Sequence, residues 1–419
     1  MTVQLSIPMS SPDITSDDIA AVNAVLSTPV LSIGPQIEAF EQAAADYTGA
    51  KFGIGVNSGT AGLHLGVIAA GVEQGDVVIT TPFSFIASAN AILYERGVPV
   101  FVDVDPRTGN IDPALVAEAI EGMRDVGGAR RPTVAGRRTW AGMKRDRWLP
   151  RSLQSPTSNF QSPTSNLQSL KAILPVHAFG QPADMDPILE VARTHGLSVI
   201  EDACEAIGAE YKGRQAGTLG DMGVFAFYPN KQMTTGEGGM IVTNDENWTN
   251  LFRSLRNQGR DVFDAWLNHS RLGYNYRLDE MSAALGVSQI KRLDELLARR
   301  ARVAGWYNER LKGEELIEIP HIAATTTRMS WFVYVVRLKP PAGRDEVMQR
   351  LQAAGVPSRP YFTPIHLQPF YRQKFGYQRG DFPVTEYLGD VSLALPFSGV
   401  MTEEQVEHVC RQLHHAVGG

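Results

Sequence analysis

The sequence predicts an α/β protein: a large domain with a mostly parallel, buried central sheet flanked by helices, and a smaller C-terminal α+β domain. The first observation is that short apolar runs alternate with helical periodicity from about residue 36 to residue 245, as in chains of β-α-β units. The second is size, because 419 residues with 43% hydrophobic content can bury a large core and form two domains.

Each predicted strand is a short apolar run bounded by turn residues. The strands of the large sheet are expected at 52–56, 77–80, 98–102, 172–176, 197–200, 223–227 and 240–242. Helices are expected between them, for example at 62–70 and 187–194. The C-terminal pattern predicts a helical stretch at 282–311, a strand at 330–338 and helices at 344–354 and 403–417. We therefore expect an N-terminal arm (1–25), a large domain (26–299) and a small domain (300–419).

One segment, 124–169, does not fit this alternation. About fifty residues separate the helix that ends near residue 121 from the strand expected at 172, whereas such connections usually have about 2 to 6 residues. The segment contains the tandem heptamers LQSPTSN and FQSPTSN, and residues 124–151 carry nine Lys/Arg against two Asp. We expect a largely disordered surface insertion. Docking of this segment to an acidic partner or a membrane surface stays open as an alternative.

Composition excludes several classes of function. The formal net charge of −6 gives no overall basic field, so we expect no nucleic-acid partner. No apolar run reaches the roughly 18 to 20 residues that span a bilayer, and we expect no membrane insertion. Cys204 and Cys410 have no metal-ligand spacing, so neither zinc nor a disulfide framework is predicted. The N-terminal residues lack a signal-peptide pattern, and we expect a cytoplasmic protein.

A lysine-containing segment, FAFYPNKQMTTGEGG at 225–239, is the most informative stretch of the chain. It places Lys231 on a loop between two buried apolar runs and follows it with a glycine-rich turn. The amine of a partly desolvated lysine can form a Schiff base with an aldehyde. A lysine on an ordinary surface loop is the alternative interpretation.

Further motifs follow the predicted strands. IEDACE ends an apolar strand, where open α/β sheets bind their ligands. NSGTAG opens a helix whose main-chain N–H groups suit a phosphate dianion, although it would also serve as an ordinary helix cap. In chain order, the motifs of interest are NSGTAG at 57–62, PFSF at 82–85, IEDACE at 200–205, GYNYRLDE at 273–280 and SRPYFTPIH at 358–366.

In their order along the chain, the motifs resemble those of the DegT/DnrJ/EryC1/StrS family. This family comprises nucleotide-sugar aminotransferases of fold type I that depend on pyridoxal phosphate (PLP). The resemblance runs from about Ile7 to Val409, apart from the 124–169 segment. It implies that Lys231 carries the cofactor and that Asp202 holds the proton on the pyridine nitrogen. The cofactor contacts that it implies are Gly59, Thr60, Phe85, Asp202, Glu205, Lys231 and Asn275, with no metal site.

The family pattern assigns more specific roles to these residues. It implies that Gly59 and Thr60 contact the phosphate and that Phe85 stacks on the ring, the alternative for Phe85 being a place in the core. It also implies that Asn275 reaches the cofactor of a neighbouring subunit, which requires a homodimer with shared active sites. Tyr361 and His366 match the segment that faces the sugar nucleotide, although both also suit simple packing of the small domain.

Two positions depart from the family pattern. Ala226 stands five residues before the lysine, where a serine that donates to the phosphate is common. Glu205 stands near the expected phenolic oxygen, where glutamine is frequent. A carboxylate there would repel a phenolate unless it were protonated or bridged by water, so a raised pKa is expected for Glu205.

The implied function is transamination of a keto-deoxysugar nucleotide with L-glutamate as amino donor. The segments YPNK at 228–231 and HLQPFY at 366–371 are most similar to 4-keto-6-deoxyhexose aminotransferases of the perosamine-synthase type. One alternative is a sugar dehydratase of the same fold, but a histidine replaces the lysine in those relatives. A second alternative is a non-catalytic regulatory protein.

Overall fold

The computed structural model describes residues 6–124, 169–260 and 268–418. The predicted insertion at 124–169 lies outside the described residues, apart from its first and last positions. The prediction that this segment is disordered therefore stays a prediction.

A seven-stranded sheet forms the centre of the larger part of the molecule. Its order is β1-β9-β8-β5-β4-β2-β3. β3, β2, β4, β5 and β8 pair in parallel, whereas β9 is antiparallel to both β8 and β1. The predicted mostly parallel sheet is thus confirmed. Its strands are β1 (Phe52–Val56), β2 (Val77–Thr80), β3 (Val98–Phe101), β4 (Leu170–Ile173), β5 (Ser198–Asp202), β8 (Met222–Ala226) and β9 (Gly239–Thr243).

Helices cover both faces of this sheet, because alternate strand residues are apolar on both sides. Val77 and Ile79 pack in one hydrophobic cluster, whereas Val78 packs in another. A strand buried on both faces must be apolar throughout, as the sequence of β2 is. The helices of this part are α1 (Ser16–Leu26), α2 (Pro35–Thr48), α3 (Gly59–Ala69), α4 (Ala87–Tyr94), α5 (Pro113–Arg124), α6 (Met185–His195) and α7 (Glu246–Arg256).

The helical stretch predicted at 282–311 is two helices, α8 (Glu280–Ile290) and α9 (Leu293–Leu311). The break lies at Arg292, whose backbone leaves helical geometry with φ −115° and ψ 19°. The Arg292 guanidinium donates to Asp13 (3.0 Å) and Asp18 (3.1 Å) of the N-terminal arm. The break therefore coincides with the point where the arm is anchored, which amphipathic periodicity does not reveal.

The C-terminal part contains an antiparallel sheet in the order β10-β12-β14-β13. The strand predicted at 330–338 begins only at Tyr334. Before it, the Ser330 and Phe332 N–H groups donate to the carbonyls of Gly180 and Phe179, so this stretch pairs with the larger part of the molecule instead. The elements are β10 (Ile317–Glu318), β12 (Tyr334–Leu338), β13 (Arg359–Pro360), β14 (Ser392–Leu395), α10 (Arg344–Ala353), α11 (Pro369–Phe375), α12 (Pro383–Val391) and α13 (Glu403–Gly418).

A small third sheet lies between these parts. β11 (Thr326–Arg328) pairs antiparallel with β6 (Glu210–Tyr211), which also pairs with β7 (Arg214–Gln215). In 6–124, 169–260 and 268–418, no helix is long and apolar enough to span a membrane.

Helix α9 belongs to both large cores. Leu293 and Leu297 pack in the cluster beside the seven-stranded sheet, whereas Val303 and Tyr307 pack in the cluster of the C-terminal part. The domain division proposed at 299/300 falls inside this helix and stays a prediction.

Candidate functional site

A cavity of about 720 Å³ lies at the carboxyl ends of the parallel strands, between the two parts of the molecule. This is where open α/β sheets bind ligands. The structure brings seven of the nine predicted site residues to its lining: Gly59, Thr60, Phe85, Asp202, Glu205, Lys231 and Tyr361.

The N-terminus of α3 forms one end of the cavity. Ser58 is its N-cap, and the Ser58 Oγ accepts from the Ala61 N–H (3.1 Å). A Cβ at Gly59 would lie 2.7 Å from the Cys204 Sγ and 2.8 Å from the Ala226 Cβ, so only glycine fits without a shift. The first N–H groups of a helix have no partner within it and favour an anion. This end of the cavity can therefore hold a phosphate group.

Asp202 ends strand β5 and is held by two hydrogen bonds. Its Oδ2 accepts from the Ser88 Oγ of α4 (2.6 Å), and its Oδ1 accepts from the Cys204 N–H (3.2 Å). Because the side chain is buried and its orientation is fixed, the carboxyl group is suited to holding a proton on a cationic ring nitrogen. A purely structural role for Asp202 would not account for its place in the cavity lining.

Lys231 follows β8 in a turn that its own N–H closes by donating to the Tyr228 carbonyl (2.9 Å). Its side chain is only 12% exposed, which excludes an ordinary surface lysine. The Nζ lies 3.6 Å from the Glu205 Oε1 and 3.8 Å from the centroid of the Phe332 ring. The amine is thus held between a carboxyl group and an aromatic face at the cavity wall.

Glu205 is buried beside this amine. Its Oε2 accepts from the Phe179 N–H (2.9 Å). Burial raises the pKa of the Glu205 carboxyl above its ordinary value, while the nearby Lys231 charge acts in the opposite direction. The direction agrees with the expectation from the sequence.

Phe85 is 63% exposed although it lines the cavity, so its ring is open to a ligand and is not part of the core. Tyr361 also lines the cavity, together with Phe332 and Phe362. The cavity therefore has several aromatic surfaces.

Two predicted residues lie outside the cavity. Asn275 is exposed on the surface and is not part of the lining in its own chain. His366 is fully buried, and its Nε2 lies 3.0 Å from the Glu386 Oε1 while Phe382 packs against its ring. Burial also lowers the pKa of His366. We therefore correct its assignment: His366 packs the C-terminal part and does not face a substrate.

Sequence reasoning missed several residues around the site. Ser88 and Phe332 contact Asp202 and Lys231, but both lie about a hundred residues away along the chain. Arg300 donates to the Lys231 carbonyl from helix α9. Their neighbours in the sequence give no signal of these roles, since only the tertiary fold brings them together.

The residues of this cavity fit PLP. Lys231 offers an amine for the aldehyde, Asp202 a carboxylate for the ring nitrogen, and the α3 N-terminus an anion site. Phe85 offers an exposed ring for stacking. The absence of a side chain at Gly59 lets the start of α3 pack closely against Cys204 and Ala226 at the phosphate end.

Known proteins match the chain over nearly its whole length. The profile of the DegT/DnrJ/EryC1/StrS aminotransferase family matches residues 12–126 and 162–414 and omits the stretch between them. GDP-perosamine synthase of Caulobacter vibrioides is 40% identical over 391 residues, or 92% of this chain and 91% of the relative. GDP-perosamine synthase of Escherichia coli O157:H7 is 32% identical over 409 residues, or 97% and 98% of the two chains.

A solved structure agrees with these matches. The crystal structure of S. venezuelae DesV has 30% sequence identity and a TM-score of 0.81, and the match covers 98% of both chains. The resemblance found in the sequence is thus confirmed, together with the fold type and the PLP cofactor. The chain belongs to the DegT/DnrJ/EryC1/StrS family of PLP-dependent sugar aminotransferases.

Proposed function

We propose that this chain transfers an amino group from L-glutamate to the ketone of a keto-deoxysugar nucleotide, specifically a 4-keto-6-deoxyhexose. The product would serve the biosynthesis of amino sugars for surface polysaccharides or glycosides. The observation that carries the proposal is that Lys231 and Asp202 line one cavity with the N-terminus of α3. The names of the two GDP-perosamine synthases support a GDP-linked sugar as the first candidate.

When bound, PLP supplies an electron sink for the α carbon of the amino donor. In the proposed mechanism, the Lys231 Nζ would hold the cofactor aldehyde and would serve as the base that moves the proton of that α carbon. Asp202, fixed by Ser88, would keep a proton on the ring nitrogen. Gly59 and Thr60 would hold the phosphate through main-chain N–H groups, and Phe85 would offer its ring for stacking.

The walls of the cavity suit a deoxyhexose. Phe332, Phe362 and Ile365 give it an apolar surface, on which a sugar methyl group is better accommodated than a hydroxymethyl group. Tyr361 and Thr363 offer hydroxyl groups for the sugar hydroxyls. This composition supports a 6-deoxy sugar as the acceptor.

A homodimer with shared sites is part of the proposal. Asn275 is exposed outside its own cavity, and the neighbouring Leu272 is 84% exposed. Leu31 and Ile33, which precede α2, are also exposed apolar residues. Exposed apolar side chains of this size favour burial against another copy of the chain. We propose that Asn275 then contacts the phosphate in the partner's cavity.

The alternatives find less support. A dehydratase of this fold has a histidine in place of the lysine, whereas the Lys231 amine reaches the cavity here. A non-catalytic regulator does not require a buried amine and a fixed carboxylate in one cavity.

The test is amination by the purified holoenzyme. L-glutamate would be supplied with GDP-, dTDP- and UDP-linked 4-keto-6-deoxyhexoses and with 3-keto isomers, and both 2-oxoglutarate and the amino sugar nucleotide would be measured by mass spectrometry. We expect turnover of a 4-keto-6-deoxy substrate and none by Lys231→Ala. The control is Lys171→Ala, which removes a surface partner of Asp76 (3.7 Å). Normal turnover by Lys231→Ala, or amination of no sugar nucleotide, would contradict the proposal.

A further inference from the structure

Arg300 is a buried charge whose role the site description leaves open. It is 3% exposed and lies in helix α9. Its Nη1 donates to the carbonyls of Trp331 (3.3 Å) and Phe332 (3.1 Å). Its Nη2 donates to the carbonyls of Asn230 (3.2 Å) and Lys231. One guanidinium thus binds four main-chain carbonyls from two separate segments.

A charge is costly to bury when packing is the only purpose. Within 6–124, 169–260 and 268–418, no carboxylate forms an ion pair with Arg300, so the main-chain carbonyls are its hydrogen-bond acceptors. Burial lowers the pKa of the guanidinium to about 10, which still leaves it charged at neutral pH. An apolar side chain would fill the same space at a lower cost in desolvation. The retained charge therefore points to a use of its five fixed donors.

Arg300 joins the segment that carries the Lys231 amine to the segment whose aromatic ring contacts that amine. One contains Lys231 itself, and the other contains Phe332, whose ring centroid lies 3.8 Å from the Lys231 Nζ. The Phe332 N–H also donates to the Phe179 carbonyl, and the Phe179 N–H donates to Glu205, the carboxyl group beside the same amine. Arg300 thus fixes the main chain of the lysine relative to the groups that surround its amine.

We propose that Arg300 is a positioning residue for the Lys231 amine: it holds the lysine loop and the Trp331–Phe332 segment in register, so that the Nζ faces the cofactor aldehyde between Glu205 and Phe332. The inference rests on the proposed role of Lys231. Lysine cannot replace Arg300 fully, because a single ammonium cannot donate to both pairs of carbonyls in the same fork geometry.

The experiment compares apoproteins of the parent, Arg300→Lys and Arg300→Met. Each is mixed with PLP, quenched with borohydride at successive times, and analysed by mass spectrometry for PLP attached to Lys231. The matched control is Arg292→Met, which removes hydrogen bonds to Asp13 and Asp18 of the N-terminal arm instead of hydrogen bonds to the lysine loop. Thermal melting of every variant verifies folding, and steady-state amination gives kcat and KM.

A displacement of about 1 Å in a reacting group can cost about 10²-fold in rate. We therefore expect Arg300→Met to attach PLP to Lys231 about 10²-fold more slowly, with a similar fall in kcat and little change in the KM for the sugar nucleotide. Arg300→Lys should be intermediate. Arg292→Met should melt at a lower temperature but attach PLP at the parent rate.

Attachment by Arg300→Met at the parent rate, or slowing no greater than in Arg292→Met, would overturn the inference. If Arg300→Met does not fold, Arg300→Lys decides in the same way. Lys231→Ala, treated in parallel, separates the two proposals. Covalent attachment of PLP at another residue in Lys231→Ala would refute the role of Lys231. Absence of covalent PLP in Lys231→Ala, together with normal attachment in Arg300→Met, would refute the inference about Arg300 alone.

Discussion

At the residue scale, Glu205 gives the apoprotein a stability that depends on pH. Its pKa is raised in the folded state, chiefly by burial, from an ordinary value of 4.5. Between pH 4.5 and the pKa of the folded state, the folded protein binds more protons at this group than the unfolded chain does. The stability that this group contributes is therefore fully present below pH 4.5 and declines as the pH rises through the folded pKa.

Replacing Glu205 by glutamine removes this dependence while an amide oxygen can still accept from the Phe179 N–H. We expect the melting temperature of the Glu205→Gln apoprotein to rise relative to that of the parent as the pH is raised from 4.5 to neutrality. The measurement is thermal unfolding of both proteins across that range. A difference that stays constant, or that grows in favour of the parent, would show that the folded pKa is not raised.

Much of the site was predictable at this scale, because its motifs follow strands whose carboxyl ends meet at one edge. Lys231, Asp202 and Gly59 were expected together and line one cavity. His366 was misassigned because a histidine beside aromatic residues has the same sequence pattern in a core as at a ligand. Arg300 was not expected, because amphipathic periodicity makes an arginine on a long helix a solvent-facing residue.

At the scale of elements, one carboxylate joins two helices. Glu280 begins α8, is 1% exposed, and accepts from the N–H groups of Gly34 (3.0 Å), Gln36 (2.8 Å) and Ile37 (3.1 Å). Helix α2 has glycine as its N-cap and no side-chain cap of its own. Glu280 therefore satisfies the free N–H groups of α2 and places negative charge at its positive end.

The Glu280→Gln variant should unfold more easily, because an amide offers one acceptor oxygen where three donors converge. Loss of a buried, charge-assisted acceptor costs about 1 to 3 kcal/mol. The measurement is the midpoint and slope of urea unfolding. Glu38→Gln, on the exposed face of helix α2, is the control and should stay within about 0.5 kcal/mol of the parent. Equal effects of the two substitutions would contradict the role given to Glu280.

The elements themselves were largely predictable where the local pattern is clear, as the agreement for the buried strands β1 and β2 and for the one-sided helix α10 illustrates. Errors occurred where a tertiary contact overrides local pattern. The strand expected at 330–338 is shortened because Ser330 and Phe332 bond to the loop at Gly180 and Phe179. The helix expected at 282–311 is broken where Arg292 turns to the N-terminal arm.

At the scale of the whole molecule, the proposed shared sites can be tested by mixing two inactive variants. In a dimer of Lys231→Ala with Asn275→Asp, one site carries both defects and the other carries neither. After random subunit exchange of equal amounts, half of the dimers are mixed, so activity should approach about a quarter of the parent value. Amination is measured before and after exchange, and mass spectrometry under native conditions quantifies mixed dimers.

Each variant alone serves as the control and should stay inactive, because a carboxylate at 275 would repel a phosphate dianion nearby. Mixed dimers without recovered activity would mean that Asn275 acts within its own subunit or not at the phosphate. The exposed position of Asn275 was not predictable from periodicity, since it depends on how the chain folds back after α7.

Helix α9 has a consequence for how the molecule unfolds. Its first turns are packed in the core beside the seven-stranded sheet, and its later turns in the core of the C-terminal part. Melting of the whole helix would expose apolar side chains of both cores, which couples their free energies of unfolding. Cleavage after residue 299 would also remove Tyr371 and Phe375 from a core beside the seven-stranded sheet, and Ile7 from the core of the C-terminal part. The two parts therefore have separate sheets, but we expect them to unfold as a single cooperative unit.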